Sequence, residues 1–239
     1  MPPTTDPHDL TPDPRHLRRI ALGIALVAFF VHLGLGAGGV GSFAALNYDD
    51  PAVLSLARDT SVRDIVSKPL WYAYKPVYFL SLKFDTLFGS EAAGVAHIHN
   101  VLLHALAAAL LFLVLRAVTR NTWLAAASGL VFAVHPIHVE SVAWISSRKD
   151  VLSLVFVLLA HLAYRRARAE GRGRWLAPLL LLLGGLTKGT VWVWSGELVL
   201  DELVEALRAR REGRPVLWGP AFLRVLPCLL VGLGGVALD

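Results

Sequence analysis

Seven apolar stretches, separated by more polar segments, make up about half of this 239-residue chain. The first stretch covers residues 20–37, and the clearest covers residues 92–115, where only three histidines and one asparagine are polar. Both are long enough for a membrane-crossing helix, which needs about 17–25 residues. Further apolar runs lie at residues 123–134, 151–164, 175–186, 190–200 and 216–238. The pattern predicts an all-α integral membrane protein, a multi-span bundle of about seven transmembrane helices.

The middle runs are shorter than a full span. Runs of about 10–14 apolar residues are typical of buried helices as well as of spans. Here they continue into partly polar segments such as IHVESVAWI at residues 137–145, which favours helices with one end in a wet, protein-lined cavity. A signal peptide is the alternative for residues 20–37, but its apolar core would be only about 7–15 residues long.

Composition agrees with a membrane protein. Apolar residues make up 55% of the chain and charged residues 17%, with a mean hydropathy of +0.57. A soluble domain usually has about a quarter of its residues charged, so a soluble enzyme and a disordered chain are both excluded. The single cysteine, Cys228, excludes an internal disulfide framework and a cysteine-rich metal site.

The net charge of +5 reflects the orientation of the chain in the membrane. When the spans alternate, the arginine-dense segments all fall on one side, which the positive-inside bias makes cytoplasmic. They are residues 1–19, 116–122, 165–174 and 205–215. We therefore expect a disordered cytoplasmic N-terminus at residues 1–19 and no nucleic-acid partner. The Ala-, Leu- and Arg-rich composition favours a bacterial inner membrane.

The first outer segment, residues 38–91, contains the sequence NYDDP at 47–51. Pro51 suits the first turn of a helix and Asp50 its N-cap, so residues 51–66 are expected to form a short interfacial helix. Asp49 has no capping role and is a candidate general base or metal ligand.

Two lysines near this side of the membrane are candidates for phosphate binding. Lys75 lies in an aromatic-rich segment at residues 68–89, which is typical of an interfacial belt and could also flank a sugar or lipid headgroup. Lys188, in LTKGT, stands alone between apolar runs. An unpaired cation there suggests a phosphate partner, with snorkelling to the interface as the alternative.

His97, Asn100 and His104 follow i, i+3, i+7 spacing and share one face of the clearest span. Three polar groups on one face should point away from lipid. Hydrogen bonding to neighbouring helices is one reading of this face and substrate positioning is the other. His99 points elsewhere, and the spacing does not favour a metal site.

The densest polar segment is HPIHVESVAWISSRKD at residues 135–150, where Pro136 interrupts the helical pattern. A Glu140–Arg148 pair that holds the loop together is one reading of these charges. Substrate contact is the other. The ionisable residues of this segment are His135, His138, Glu140, Arg148, Lys149 and Asp150.

The order of these motifs, over residues 47–201, resembles the transmembrane-and-tetratricopeptide-repeat O-mannosyltransferases, which have the GT-C fold. The resemblance implies an extracytoplasmic first loop with short interfacial helices. It also implies inverting transfer of a sugar, with mannose a candidate, from a polyprenyl-phosphate-sugar donor to a hydroxyl of a protein or glycan. The carboxylate after the first span would be the catalytic base, which matches Asp49 or Asp50. Donor-phosphate binding would fall to Lys75, Arg148, Lys149 and Lys188.

The same resemblance implies that the remaining polar residues position the substrate, and it leaves a divalent metal ion open without requiring a cofactor. They are His97, Asn100, His104, His135, His138, Glu140 and Asp150. Relatives continue with more spans and then repeats, so residues 20–239 are expected to be a transmembrane domain truncated at its C-terminal end. The alternative is a non-catalytic membrane protein that binds lipid-linked sugar, or a flippase or transporter component. Asp49 is the residue that separates these two readings.

Overall fold

A computed structural model describes residues 13–34 and 49–236. Within these ranges the chain is helical, with eleven α-helices, short 3-10 helices between some of them, and no β-strand. The α-helices are α1 Pro14–Gly34, α2 Asp50–Asp59, α3 Val62–Ser67, α4 Pro76–Thr86, α5 Ala92–Thr119, α6 Thr122–Val134, α7 Val139–Ala143, α8 Arg148–Glu170, α9 Leu176–Gly185, α10 Ser195–Arg211 and α11 Trp218–Val236. The all-α prediction is confirmed over the described residues.

Three helical segments are long and apolar enough to cross a membrane: α1, the segment Gly89–Thr119 that contains α5, and α11. A fourth span is obtained if α6 and the segment Pro136–Ala143, which meet at a bend of 50°, count as one. The structure thus reproduces three, or up to four, of the about seven spans that the apolar runs predict.

The other apolar runs do not form candidate membrane spans, for reasons of length and charge. The ten residues of α9 extend about 15 Å, half of a hydrocarbon core of about 30 Å. The run at 190–200 is divided between a 3-10 helix, Gly189–Trp194, and the start of α10, which carries acidic residues. The helix α8 is 23 residues long, but both of its ends are charged.

The helix α1 begins at Pro14, earlier than the expected start at residue 20. Asp13 accepts a hydrogen bond from the backbone N–H of Arg15 at 2.9 Å, and Pro14 suits the first helical position. The disorder expected for residues 1–19 is therefore wrong for residues 14–19. Residues 1–12 lie outside the described residues, as does the end of the expected first span at residues 35–37.

Small residues bring the bundle helices together. Buried alanines of α1, α5 and α6 form one cluster, and a Cβ added at Gly129 of α6 would lie 3.2 Å from both Ile24 and Phe112. In the second half, the Trp192 ring lies against Gly185 and Gly235, where a Cβ would come within about 2.0 Å of it. Close backbone approach at small residues is a usual way to pack membrane helices.

The helices α2, α3 and α4 form a small unit with its own apolar core, closed by Ala96 of α5 and by Ile145. The single helix expected at residues 51–66 is two helices, because Ser61 caps α3 by accepting the Asp64 N–H at 3.0 Å. Lys83 Nζ donates to three carbonyls of the α2 terminus, including Thr60 at 2.8 Å. These hydrogen bonds hold the three helices together, and the shared apolar core joins them to Ala96 of α5 and to Ile145 in the loop before α8.

The opposite ends of α5 and α8 meet α10 and α11 in an ion-pair network. Glu205 accepts from Arg208 at 2.8 Å, and Glu202 accepts from Arg224 at 3.0 Å. Arg165 and Arg168 both pair with Asp201. The sequence marks these arginines as orientation signals, whereas the structure gathers their chain segments at one end and gives them carboxylate partners.

Candidate functional site

Asp49 and Asp50 both bind the segment 144–146, which lies 95 or more positions further along the chain. Oδ1 of Asp49 accepts hydrogen bonds from Trp144 Nε1 at 2.9 Å and from Ser146 Oγ at 3.0 Å. The Asp50 carboxylate accepts from the backbone N–H groups of Ile145 at 3.3 Å and Ser146 at 2.8 Å. Two adjacent carboxylates thus attach the start of α2 to the loop before α8.

The two carboxylates differ in access. Asp50 is 1% exposed, whereas Asp49 is partly exposed and lines a pocket. The expected N-cap role of Asp50 is wrong, since α2 begins at Asp50 and Asp49 occupies the N-cap position without a side-chain cap bond. Asp50 is therefore a structural anchor, and Asp49 is the carboxylate that is open to the pocket.

Replacement of Asp50 tests this division. Burial raises the pKa of the Asp50 carboxyl, although the two backbone donors oppose the shift. Because the folded chain then holds a proton that the unfolded chain releases near pH 4, the free energy of unfolding should fall as the pH rises from about 4 through the raised pKa. The Asp50→Asn variant should lack this decrease in denaturant titrations across that pH range. If the parent and the Asp50→Asn variant show the same pH dependence of unfolding, a raised pKa at Asp50 is contradicted.

A pocket of about 100 Å³ lies between α2, the turn before α4, α4 itself and the first turn of α8. Lys75 and Lys149 line it together with Asp49. The other lining residues are Val53, Leu70, Trp71, Tyr78, Phe79 and Ser146. One carboxylate and two ammonium groups in one concavity can accept a proton and bind an anion.

Lys149 and Tyr78 both contact the Ser146 carbonyl, and these contacts fix one wall of the pocket. Lys149 Nζ donates to the Ser146 carbonyl at 2.8 Å and lies 6.0 Å from the centroid of the Tyr78 ring. The Tyr78 hydroxyl donates to the same carbonyl at 3.1 Å. Burial raises the pKa of Tyr78, so its hydroxyl stays protonated and acts as a fixed donor.

Lys188 lies beside the pocket and does not line it. Its ammonium forms an ion pair with Asp150 of α8, which the sequence had assigned to substrate positioning. The turn that carries Lys188 is attached to α4, because Val77 N–H donates to the Leu186 carbonyl at 3.2 Å. Both side chains keep about a third of their surface exposed, at 34% and 29%.

Arg148 is not at the surface of the site, contrary to the expectation that it binds donor phosphate. It is 1% exposed and pairs with the carboxylate of Asp85, which is fully buried. Its Nε donates to Asn100 Oδ1 at 2.8 Å, and its other nitrogens donate to the backbone of Ser81 and Ala96. The residue therefore joins α8 to α4 and α5.

The Glu140–Arg148 pair suggested by the sequence is absent, since Asp85 occupies that role and Glu140 is exposed. The sequence reading overlooked Asp85. It lies seven residues after Tyr78 and thus on the same face of α4, and a carboxylate amid aromatic residues beside a span is a signal that could have identified it.

The polar face of α5 is buried, as its spacing predicts. His97, Asn100 and His104 are 5%, 0% and 1% exposed, whereas His99 is partly exposed and binds Asp85 at 2.5 Å. Asn100 also donates to the Trp144 carbonyl at 3.1 Å, so it holds both ends of the segment 144–148.

The two histidines of this face also contact backbone groups. His97 is hydrogen-bonded to the Ala143 backbone. His104 lies 3.3 Å from the Ala133 carbonyl, and its ring centroid is 4.3 Å from that of His32. These contacts are the interhelical hydrogen bonds that the sequence allows as one reading. None of the three α5 residues lines the pocket.

His135, His138 and Glu140 lie at the bend between α6 and α7, outside the pocket. His135 accepts the Ile137 N–H at 3.2 Å, and the His138 ring is 4.2 Å from that of Phe132 and 5.3 Å from that of His104. In the described ranges, no group of three or more histidine, cysteine, aspartate or glutamate residues could hold a metal ion.

Comparison with known proteins gives partial matches. A Drosophila melanogaster protein O-mannosyl-transferase, Tmtc1, is 36% identical over 115 residues, and a second, Tmtc2, is 38% identical over 122 residues. Each alignment covers 48% of this chain and 13% of the relative. The human protein O-mannosyl-transferase TMTC1 is 37% identical over 41% of this chain and 11% of its own length. No family model and no solved structure matches the chain.

Proposed function

We infer that this chain, which is related over about half of its length to protein O-mannosyl-transferases, takes part in membrane glycosyl transfer of the mannosyltransferase kind. The aligned part spans only 13% of the first two relatives, so the activity of the whole protein is itself a proposal. One observation carries it. A reachable carboxylate, Asp49, shares a pocket with the ammonium groups of Lys75 and Lys149.

In the proposed reaction Asp49 is the general base. Its carboxylate accepts the proton of an acceptor hydroxyl, and the hydroxyl oxygen forms a bond to the anomeric carbon of the sugar. The bond from that carbon to the donor phosphate oxygen breaks, and the electron pair leaves with the phosphate. Attack opposite to the leaving group inverts the anomeric centre. The donors Trp144 Nε1 and Ser146 Oγ fix Oδ1 of Asp49 in place for this step.

The pocket fits a polyprenyl phosphate as the leaving group. Its anionic oxygens would be neutralised by Lys75 and Lys149, which act as point charges and not as bidentate guanidinium groups. The pocket of about 100 Å³ is smaller than the roughly 300–1,000 Å³ of most small-molecule sites. It therefore suits a phosphate-sized group, and the sugar and acceptor lie at its rim.

The proposed function also carries a fold type, a membrane orientation and roles for further residues. The fold is of GT-C type, with the pocket on the extracytoplasmic side and the N-terminus in the cytoplasm of a bacterium. Asn100 and Arg148 act by positioning the segment that binds Asp49. Lys188 stays a candidate for phosphate contact through release from Asp150. Substrate roles for His135, His138 and Glu140 are supported by the motif resemblance alone.

Replacing Lys75 or Lys149 with glutamine tests the phosphate role. Each variant should raise the KM for a polyprenyl-phosphate-mannose donor about tenfold, because one charge near phosphate contributes on the order of 1.5 kcal/mol or more. The KM for the acceptor should change much less. Kinetics in proteoliposomes with varied donor concentration measure both constants.

Lys68→Gln is the matched control. Lys68 is exposed, pairs with Asp64 on α3 and does not line the pocket, so its donor KM should equal that of the parent. A donor KM that stays unchanged in both the Lys75 and the Lys149 variants would remove the proposed phosphate site.

A further inference from the structure

The turn between Leu70 and Ala73 has an unusual backbone for its sequence. Trp71 and Tyr72 have φ values of +51° and +63°, in the left-handed region that residues with a Cβ rarely adopt. The N–H and C=O groups of Leu70 and Ala73 exchange hydrogen bonds of 3.0 and 3.1 Å across them. This is a two-residue turn that Asn-Gly would normally form. The two aromatic side chains are therefore not there for the sake of the turn.

The rings of this turn are open to a ligand. Trp71 lines the pocket beside Asp49 and Lys75, and 47% of its surface is exposed. Tyr72 is 103% exposed, as open as a residue in an extended peptide. The base of the turn is nevertheless fixed, since the Tyr74 hydroxyl donates to the Val66 carbonyl of α3 at 2.7 Å. The turn thus holds the Trp71 ring at the rim of the pocket and leaves the Tyr72 ring, next to it in the chain, open to solvent.

We propose that the Trp71–Tyr72 turn is the docking site for the acceptor polypeptide, next to the hydroxyl that Asp49 deprotonates. This inference rests on the proposed transfer function. Once a phosphate fills the small pocket, an acceptor reaches Asp49 over the rim, where Trp71 stands. Tryptophan and tyrosine give large contact area with few rotatable bonds, which makes them effective anchors for polypeptides.

The observations favour a polypeptide over a lipid surface as the partner. An interfacial belt requires aromatic residues at a given depth and places no demand on their backbone conformation. Exposed apolar side chains at the end of α4, Leu87 and Phe88, supply such a belt without left-handed backbone. Among the residues that the structure describes, Trp71 combines a left-handed φ with a place in the pocket lining, and Tyr72 follows it in the same backbone conformation.

The test replaces Trp71–Tyr72 with Asn-Gly in the 239-residue chain. This pair keeps the turn, because Asn and Gly adopt left-handed φ readily, and removes both rings. The probe is a fluorescein-labelled alanine-rich peptide with one threonine, and its affinity is measured by fluorescence anisotropy in detergent and in phosphatidylcholine vesicles. We expect peptide affinity to fall at least tenfold in both media. The midpoint of thermal unfolding in detergent should equal that of the parent, because the hydrogen bonds between Leu70 and Ala73 are kept.

Trp123→Asn is the matched control, because Trp123 is 86% exposed at the start of α6, away from the pocket. Its peptide affinity should equal that of the parent. Unchanged affinity in the Asn-Gly variant, or no peptide binding by the parent, overturns the proposal. A loss of affinity seen only in vesicles identifies a lipid contact. A loss of affinity accompanied by a lower unfolding midpoint identifies a structural role. Either result also overturns the proposal.

Asp49→Asn separates this proposal from the transfer function. If the turn docks the acceptor, this variant still binds the peptide with the affinity of the parent, while its rate of sugar transfer is about 10²–10⁴-fold lower. A parent chain that binds the peptide through the turn and yet transfers nothing would leave the docking site standing and remove the proposed function.

Discussion

Replacing Asp49 with asparagine should lower the rate of sugar transfer by about 10²–10⁴-fold, the usual contribution of a general base. Asparagine can still accept hydrogen bonds from Trp144 Nε1 and Ser146 Oγ, so the attachment of α2 to the loop before α8 is kept. Only the ability to take a proton from the acceptor hydroxyl is lost. The measurement is mannose transfer from a polyprenyl-phosphate donor to a threonine peptide in proteoliposomes.

Asp59→Asn is the control for this prediction. Asp59 ends α2, is exposed and does not line the pocket, so its variant should transfer sugar at the parent rate. Full activity in Asp49→Asn would eliminate the base assignment. A parent chain that binds the donor without any transfer would instead favour the non-catalytic alternative, a membrane protein that binds lipid-linked sugar.

Replacing Asp85 with alanine should lower the free energy of unfolding by about 3–5 kcal/mol, because it leaves the buried guanidinium of Arg148 without its counter-charge. This is the largest stability effect that we expect from one substitution in the unit formed by α2, α3 and α4. Asp85 also binds His99 at 2.5 Å, so a second contact between α4 and α5 disappears with it. Denaturant unfolding in detergent, followed by tryptophan fluorescence, measures the change.

The double variant Asp85→Ala/Arg148→Met checks the physical reason. Removing both charges should recover a large part of the loss, since no unpaired buried charge remains. The control is Glu170→Ala, which breaks the exposed Arg166–Glu170 pair and should change the free energy of unfolding by less than about 1 kcal/mol. A double variant as unstable as the sum of both single variants would contradict the charge argument.

Local periodicity was sufficient for several parts of the site. The i, i+3, i+7 spacing of His97, Asn100 and His104 predicts a shared inward face, and all three are buried. Apolar run length likewise predicts the three segments that contain α1, α5 and α11 as spans. These features depend on neighbours within two helical turns, which the sequence displays directly.

Pair contacts between distant segments were not accessible in that way. The sequence offers Glu140 as the partner of Arg148, eight positions away, but the packing of α4 against α5 and α8 puts Asp85 there instead. The choice depends on which helix faces which, and helical periodicity does not contain that information. The shorter apolar runs do not form candidate spans for local reasons, because α9 has only ten residues and α8 is charged at both ends.

The sequence by itself determined the helical membrane character and the chemistry available outside the spans, a carboxylate pair with lysines. Only the tertiary structure decided that Asp50 is a buried anchor and Asp49 a pocket residue. The two are adjacent and chemically identical, so no local pattern distinguishes them. They differ because the loop before α8, 95 positions away, presents backbone N–H groups to Asp50 and side-chain donors to Asp49.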